Sequence, residues 1–243
     1  MSESTAFNEE QATHPYPDGV ERNFWHQARG HIVTRFCEAY RADPLLEIGA
    51  GRGYMLHAFQ RKGWQAYGVE LSDKMTPFLP DLHIQYGTDA FTLPEKFQKE
   101  IRSIGLFDVI EHLPDRVAFL SRCREAFPNV RYLYITVPAC MSLWTNYDTY
   151  YGHYLRYDPQ TLRQEIEKSG YKVVLLQYFF HALYIPIWLV RHFSPKGRDT
   201  QYTPPSGLAL FFHTLIAYYF RWESRLLPGN IPGTSLLCIA KPE

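Results

Sequence analysis

The sequence lacks an excess of charge of either sign. Its 25 lysines and arginines balance 25 aspartates and glutamates, so the formal net charge at pH 7 is zero. Nucleic acids and acidic membranes attract proteins that carry a surplus of basic residues. The balance therefore argues against a nucleic-acid partner, although it leaves room for a local basic patch.

Cysteines are few and scattered, and there is no Cys-x-x-Cys pair or cysteine–histidine group with zinc spacing; the four are Cys37, Cys123, Cys140 and Cys238. We therefore expect no metal site and a reduced chain in the cytoplasm. The N-terminus also lacks a basic and then apolar leader. Residues 1–19 are polar and acidic, and we expect them to form a flexible segment.

No apolar run approaches the roughly 20 residues that a membrane-spanning helix needs. The longest stretches, FFHALYIPIWLVRHF and LALFFHTLIAYYFRW, are interrupted by His181, Pro186 and His213. They predict a helical, aromatic-rich cap insertion over residues 179–230, before the last strand. Its aromatic residues either pack on the sheet, or form an apolar substrate pocket or a peripheral membrane contact through residues 179–228.

Apolar runs alternate with helix-like patterns along the rest of the chain. This alternation predicts an α/β fold with a seven-stranded, mostly parallel sheet and helices on both faces, in one domain over residues 20–243. Helices are expected over 21–40, from Gly53 to Gly63, and from Asp158 to Gly170. The expected strands are 45–49, 65–70, 82–86, 101–107, 132–137, 171–178 and 235–240.

One stretch, LLEIGAGRGYMLHAFQRKGWQAYGVELS, combines alternate glycines with two acidic residues. Gly49, Gly51 and Gly53 follow the first strand, where glycine permits positive φ and lets a ligand lie against the backbone. The spacing is E-x-G-x-G-x-G, not the G-x-G-x-x-G of dinucleotide-binding proteins. Glu47 could accept hydrogen bonds from a ligand ammonium or from loop amides, and Glu70 from both hydroxyls of a ribose. The stretch therefore indicates a ligand with a ribose and a charged amino-acid tail.

The segments LLEIGAGRGY and AYGVELS resemble motif I and the second-strand acidic residue of class I S-adenosylmethionine-dependent methyltransferases. The resemblance extends over residues 21–241 and implies a Rossmann-like fold, methyltransferase activity and S-adenosyl-L-methionine as cofactor. It implies that Glu47 and the three glycines face the methionine part, and that Glu70 binds the ribose.

Two later segments extend the resemblance. GTDAFTLP is similar to the segment that contacts adenine, which implies this role for Asp89 and Ala90. LFDVIEHLPD is similar to the loop after the fourth strand that closes over the cofactor, which places Asp108, Glu111 and His112 beside it.

The segment after the fifth strand, VPACMSLWTNYDTYYGHYLRYDPQTL, is similar to a bacterial subgroup of this class with a GHYxRY pattern. His153 is the natural general base, since its ordinary pKa is near neutrality, and Asp148 could orient it or hold a substrate hydroxyl. The candidate substrate-binding residues are Trp144, Tyr151, Arg156 and Tyr157. Alternatively, these residues pin a lid through ordinary hydrogen bonds.

The predicted function is S-adenosylmethionine-dependent methyl transfer to a small-molecule or lipid-like acceptor, at oxygen or carbon. A catalytically inactive cofactor-binding module and an NAD-linked oxidoreductase are the alternatives. The sequence leaves the acceptor's identity and the oligomeric state open.

Overall fold

A seven-stranded sheet organises the molecule. The computed structural model describes residues 18–193 and 203–243. All seven predicted strands are present, with ends that differ by a few residues. The strands are β1 Leu45–Ile48, β2 Ala66–Glu70, β3 Ile84–Tyr86, β4 Ser103–Phe107, β5 Tyr132–Pro138, β6 Tyr171–Phe179 and β7 Ser235–Pro242. Their order in the sheet is β3-β2-β1-β4-β5-β7-β6.

Most of the sheet is parallel, as predicted. Strands β1 to β5 pair in parallel, whereas β7 runs antiparallel to both β5 and β6. The carboxyl ends of β1 to β5 therefore meet at one edge, which is where open α/β sheets bind their ligands.

Helices cover both faces of the sheet. The α-helices of the described chain are α1 Phe24–Glu38, α2 Tyr54–Gln60, α3 Glu95–Glu100, α4 Arg116–Ala126, α5 Asn146–Tyr150, α6 Pro159–Lys168, α7 Tyr184–Phe193 and α8 Gly207–Leu226. One apolar cluster joins the sheet to α4 and α6, and includes Leu120 and Ile166. A second cluster joins the other face to α1, α2 and α8, and includes Ile32 and Phe220.

Two predicted helices show how the capping residue at the N-terminus determines where a helix begins. Helix α6 begins after Asp158, whose side chain accepts a hydrogen bond from the Thr161 amide, with Pro159 at its first position as predicted. The helix predicted over 21–40 is instead divided. A short 3₁₀ turn at Val20–Arg22 precedes Asn23, whose side chain accepts from the Trp25 amide and starts α1.

The cap region contains α7 and α8, as the aromatic-rich sequence predicts, although Phe179 itself ends β6. Helix α8 packs on α1, where Arg35 donates to the Ser224 carbonyl at 2.8 Å and Arg221 donates to the Gln27 carbonyl at 3.0 Å. The domain limits 20–243 and the cap limits 179–230 stay predictions. The predicted flexible segment 1–19 lies outside the described residues, apart from its last two.

Two further predictions concern the chain's environment. Across residues 18–193 and 203–243, no helix combines the length and the hydropathy that crossing a membrane requires. The four cysteines form no disulfide. The reduced state of the chain stays a prediction. The cytoplasmic location itself stays a prediction.

Candidate active site

The glycine loop lies between β1 and α2, at the carboxyl edge of the sheet. Gly49, Gly51 and Gly53 all adopt positive φ, at 73°, 53° and 87°. A Cβ on Gly53 would lie 2.6 Å from Cδ1 of Ile84, so a side chain there would require the tip of the Ile84 side chain to move. Backbone conformation and crowding together explain why glycine stands at this turn.

Glu70, the last residue of β2, ties the loop in place. Its Oε2 accepts a hydrogen bond from the Gly51 amide at 2.9 Å, and its Oε1 accepts one from the Ser72 amide at 3.0 Å. A carboxylate offers about four acceptor sites, and these two contacts use only two of them. The carboxylate therefore keeps the capacity to accept hydrogen bonds from two ribose hydroxyls.

Glu47 is buried in β1 beside the loop. Its Oε2 has no hydrogen-bond partner among the described residues. Burial raises the pKa of Glu47 to about 8, and the positive charge of Arg29 opposes this rise. Because buried polar atoms are normally satisfied, an unpartnered acceptor at this edge fits a site that receives a ligand ammonium. The buried acceptor of Glu47 and the spare acceptor sites of Glu70 thus suit a ligand with an amino-acid tail and a ribose.

The residues after β3 and β4 complete this edge. Asp89 accepts a hydrogen bond from the Phe91 amide and starts a 3₁₀ turn at Ala90–Thr92, in which Ala90 is buried. Asp108 has a φ of 60° and forms an ion pair with Arg29 of α1 at 2.8 Å. Thr136 of β5 donates to Asp108 at 3.0 Å. No spacing in the sequence connects Thr136 with Asp108, so this hydrogen bond is visible only in the structure.

Asp148 is the centre of the segment that follows β5. Its Oδ2 accepts hydrogen bonds from the amide and hydroxyl of Thr145 at 2.7 and 2.9 Å. Its Oδ1 accepts from His153 Nδ1 at 2.9 Å and from Arg156 Nε at 2.8 Å. Burial acts to raise the pKa of Asp148, but the hydrogen bond from His153 and the charge of Arg156 lower it to about 2. Because the carboxylate is ionised, Nδ1 of His153 is the donor, and in the neutral ring Nε2 carries the lone pair.

The loop after β4 meets this segment. The Tyr154 amide donates to the Glu111 carbonyl at 2.8 Å, and His112 Nδ1 donates to the Tyr151 carbonyl at 3.0 Å. The ring centroids of His112 and His153 lie 4.6 Å apart. Burial and the neighbouring His153 lower the pKa of His112 to about 3. Two segments that the sequence treats separately, one for the cofactor and one for the acceptor, are therefore in direct contact.

Other predicted substrate-binding residues have structural contacts. Arg156 supports Asp148, and Trp144 Nε1 donates to the Thr149 hydroxyl at 3.1 Å. Tyr157 is fully buried, and its hydroxyl donates to Glu165 at 2.8 Å. Its backbone bridges to Ala139 beside β5, and its ring lies in the core. The substrate-binding role of Tyr157 and the general-base role of His153 both stay predictions.

Several solved structures share the fold of this chain. A SAM-dependent methyltransferase from Archaeoglobus fulgidus aligns with 90% of this chain and 97% of its own, at 21% identity and a TM-score of 0.53. Phosphoethanolamine N-methyltransferase 2 of Haemonchus contortus, in complex with S-adenosyl-L-methionine, aligns with 99% of this chain and 61% of its own, at 15% identity and a TM-score of 0.59. Magnesium protoporphyrin IX methyltransferase from Synechocystis, with bound SAH, aligns with 90% and 84%, at 14% identity and a TM-score of 0.50.

The sheet order and the loop at its carboxyl edge define the class I S-adenosylmethionine-dependent methyltransferase fold. A family model described as a methyltransferase domain matches residues 9–176, and the chain belongs to this methyltransferase family. S-adenosyl-L-methionine is the methyl donor of the class. A comparison with curated protein sequences gives no match.

Proposed function

We propose that the chain transfers the methyl group of S-adenosyl-L-methionine to a small-molecule or lipid-like acceptor, at oxygen or carbon. The observation that carries the proposal is the pair of glutamate side chains beside the glycine loop. Glu47 presents a buried acceptor that has no hydrogen-bond partner in the described part of the chain, and Glu70 has unused acceptor sites. These groups match the ammonium and the ribose hydroxyls of the cofactor.

The protein's contribution to the reaction is binding and alignment. When bound, the cofactor supplies an electrophilic methyl group on a sulfonium. Gly51 lets the backbone approach the ligand, Glu70 accepts from the ribose, and Glu47 accepts from the ammonium. The acceptor binds against the contact between the β4 loop and the His153 segment, since both lie after parallel strands at the ligand-binding edge. Holding acceptor and methyl in line removes much of the entropic barrier to displacement.

A lipid-like acceptor is favoured by the surface next to this segment. Helix α7 adjoins it through Tyr184 and Ser142, whose hydroxyls lie 3.2 Å apart, and through Arg191, which donates to the Met141 carbonyl at 3.3 Å. Helices α7 and α8 expose many large apolar side chains: Ile185, Trp188, Leu189, Val190, Phe193, Leu208, Phe211, Phe212, Leu215, Tyr218, Tyr219, Trp222 and Leu226. Exposed apolar area of this kind supports a peripheral contact with a membrane surface.

Vesicle flotation tests the membrane contact. Phosphatidylcholine–phosphatidylglycerol vesicles should carry the full chain upward in a density gradient, and the double variant F211S/F212S should float less. Val174→Ser, at an exposed position on β6, is the matched control and should float like the unaltered chain. Flotation that is absent, or equal in all three proteins, would contradict the contact.

Transfer of labelled methyl into fractionated lysate tests the reaction. We expect label from S-adenosyl-L-methionine to enter a heat-stable molecule in the organic phase if the acceptor is lipid-like, and in the aqueous phase if it is a polar metabolite. S-adenosylhomocysteine should raise the melting temperature, whereas NAD should not. Binding without transfer to any fraction would indicate an inactive cofactor-binding module, and stabilisation by NAD alone would indicate an oxidoreductase.

A further inference from the structure

A cluster of one carboxylate and two imidazoles lies where the β4 loop meets the segment after β5. Glu111, His112 and His153 each offer one ligand atom, and these three atoms lie within 4.8 Å of one another. A Zn²⁺-like ion with bonds of about 2.0–2.2 Å holds its ligand atoms roughly 3.0–3.5 Å apart, so modest side-chain rotations would close the cluster around an ion. We propose that these three residues bind one divalent transition-metal ion, of the type of Zn²⁺, and that this ion holds a hydroxyl oxygen of the methyl acceptor.

The Glu111 carboxyl is the first independent sign of a ligand. Its side chain is fully buried, and neither oxygen has a hydrogen-bond partner among the described residues. An unpaired carboxylate inside a protein is costly unless a cation or hydrogen-bond donors compensate it. A metal ion between Glu111 and the two imidazoles would provide that compensation.

The surroundings of both histidines are those of metal ligands. A metal-binding histidine usually donates its second ring N–H to a carboxylate or a backbone carbonyl, which fixes the tautomer and orients the ring. His153 donates from Nδ1 to Asp148, and His112 donates from Nδ1 to the Tyr151 carbonyl. Asp148 is itself held by Arg156. In each neutral ring, Nε2 then carries the lone pair that a metal ion requires, and His112 Nε2 lies 4.0 Å from Glu111 Oε1.

The donor set points to the class of ion. Two imidazoles and one carboxylate suit Zn²⁺ and other divalent transition-metal ions better than Mg²⁺ or Ca²⁺, which prefer oxygen ligands throughout. Three protein ligands leave a coordination position open, which is the arrangement of catalytic zinc sites. The open position would take an oxygen of the acceptor.

The chemistry rests on the proposed methyl transfer and narrows its acceptor to a molecule with a hydroxyl group. A divalent ion lowers the pKa of a bound hydroxyl, whose proton passes to water. The oxygen forms the new O–CH₃ bond, while the S–CH₃ bond of the cofactor breaks and its electron pair goes to sulfur. In this proposal the lone pair of His153 binds the ion. The sequence instead predicts that this lone pair takes a proton from the acceptor.

Metal binding to the full chain tests this site without relying on activity. After treatment with EDTA and dialysis, titration with ZnCl₂ in a calorimeter should show one ion per chain, and CoCl₂ should give the visible absorption of a site with nitrogen ligands. Glu111→Gln and His153→Gln should each weaken binding at least about 100-fold, more than the roughly 10- to 100-fold expected for the supporting variant Asp148→Asn. His83→Gln, at an exposed position outside the cluster, is the control and should bind like the unaltered chain.

The outcomes separate this inference from the proposed function. Circular dichroism establishes that each variant is folded, and S-adenosylhomocysteine binding is measured on the same EDTA-treated protein. If that ligand binds but Zn²⁺ and Co²⁺ do not, or if both glutamine variants bind metal like the unaltered chain, the metal site is overturned while methyl transfer stands. If metal binds with the expected variant losses and S-adenosylhomocysteine does not bind, the metal site stands and the proposed methyl transfer falls.

Discussion

Arg29 of α1 and Asp108, the residue that follows β4, form an ion pair in which Nη2 and Oδ2 are 2.8 Å apart. The same Arg29 nitrogen donates to the Thr136 hydroxyl at 2.8 Å. The Arg29 side chain is largely buried, whereas the Asp108 side chain is 29% exposed. This pair joins the first helix to the loop that the resemblance places beside the cofactor.

Replacing Arg29 tests how much this link contributes. Arg29→Met leaves Asp108 without its charged partner, so we expect the free energy of unfolding to fall by about 1–3 kcal/mol. Urea denaturation measures the change. Arg22→Met is the control, since Arg22 is over half exposed at 54% and its partner Glu21 is 3.6 Å away. Equal stability of the two variants would contradict a structural role for the Arg29–Asp108 pair.

Gly51→Val tests the close approach of ligand to the loop. The φ of 53° at Gly51 disfavours a β-branched residue, and its side chain would occupy the space that we assign to the cofactor. We expect a folded protein that no longer binds S-adenosylhomocysteine in a calorimeter. Gly63→Val is the matched control, because Gly63 also has positive φ, at 76°, but a Cβ there meets nothing within 4 Å. If Gly51→Val binds as well as Gly63→Val, the loop does not contact the cofactor.

The pH dependence of stability tests the buried state of Glu47. Its pKa is raised from an ordinary 4.5 to about 8, so between these values the folded chain keeps a proton that the unfolded chain has lost. The Glu47 contribution to the free energy of unfolding therefore decreases as pH rises through this range. Glu47→Gln removes this contribution, and its stability should decline less between about pH 5 and about pH 8. Parallel stability curves, measured by urea unfolding without cofactor, would contradict this assignment.

His153→Ala separates the acceptor site from the cofactor site. We expect turnover to fall roughly 100- to 10,000-fold, whether His153 takes a proton or holds an ion, while affinity for S-adenosylhomocysteine changes little. The glycine loop and Glu70 are untouched by this substitution. Parallel loss of affinity and turnover would place His153 in the cofactor site, and unchanged turnover would remove it from the reaction.

The sequence predicts best what depends on neighbouring residues. The glycine loop and the strand end at Glu70 have local signals, and both occur where they were predicted. The cap of α6 by Asp158 is equally local. A helix predicted over 21–40 is divided because the side chain of Asn23 caps α1, a competing signal within the same stretch.

Residue spacing does not predict contacts between segments that are distant in the sequence. Glu111 and His112 lie in one loop and His153 in another, and the parallel sheet brings the two loops together. The expectation of no metal site rests on spacing alone, which cannot register such a cluster. The burial of Tyr157 is likewise not predictable from spacing, since it depends on the hydrogen bond that its hydroxyl donates to Glu165 of α6.

Calorimetric titration with S-adenosylhomocysteine tests the central claim, a cofactor site formed by the glycine loop and Glu70, most directly. The unaltered chain should bind one molecule. Glu70→Ala should lose about 1.5–3 kcal/mol of binding free energy, which raises the dissociation constant by about 10- to 150-fold. Glu95→Ala, whose side chain is 78% exposed on α3, should bind like the unaltered chain. An unaltered chain that does not bind the ligand, or a Glu70→Ala variant with an unchanged dissociation constant, would contradict the account.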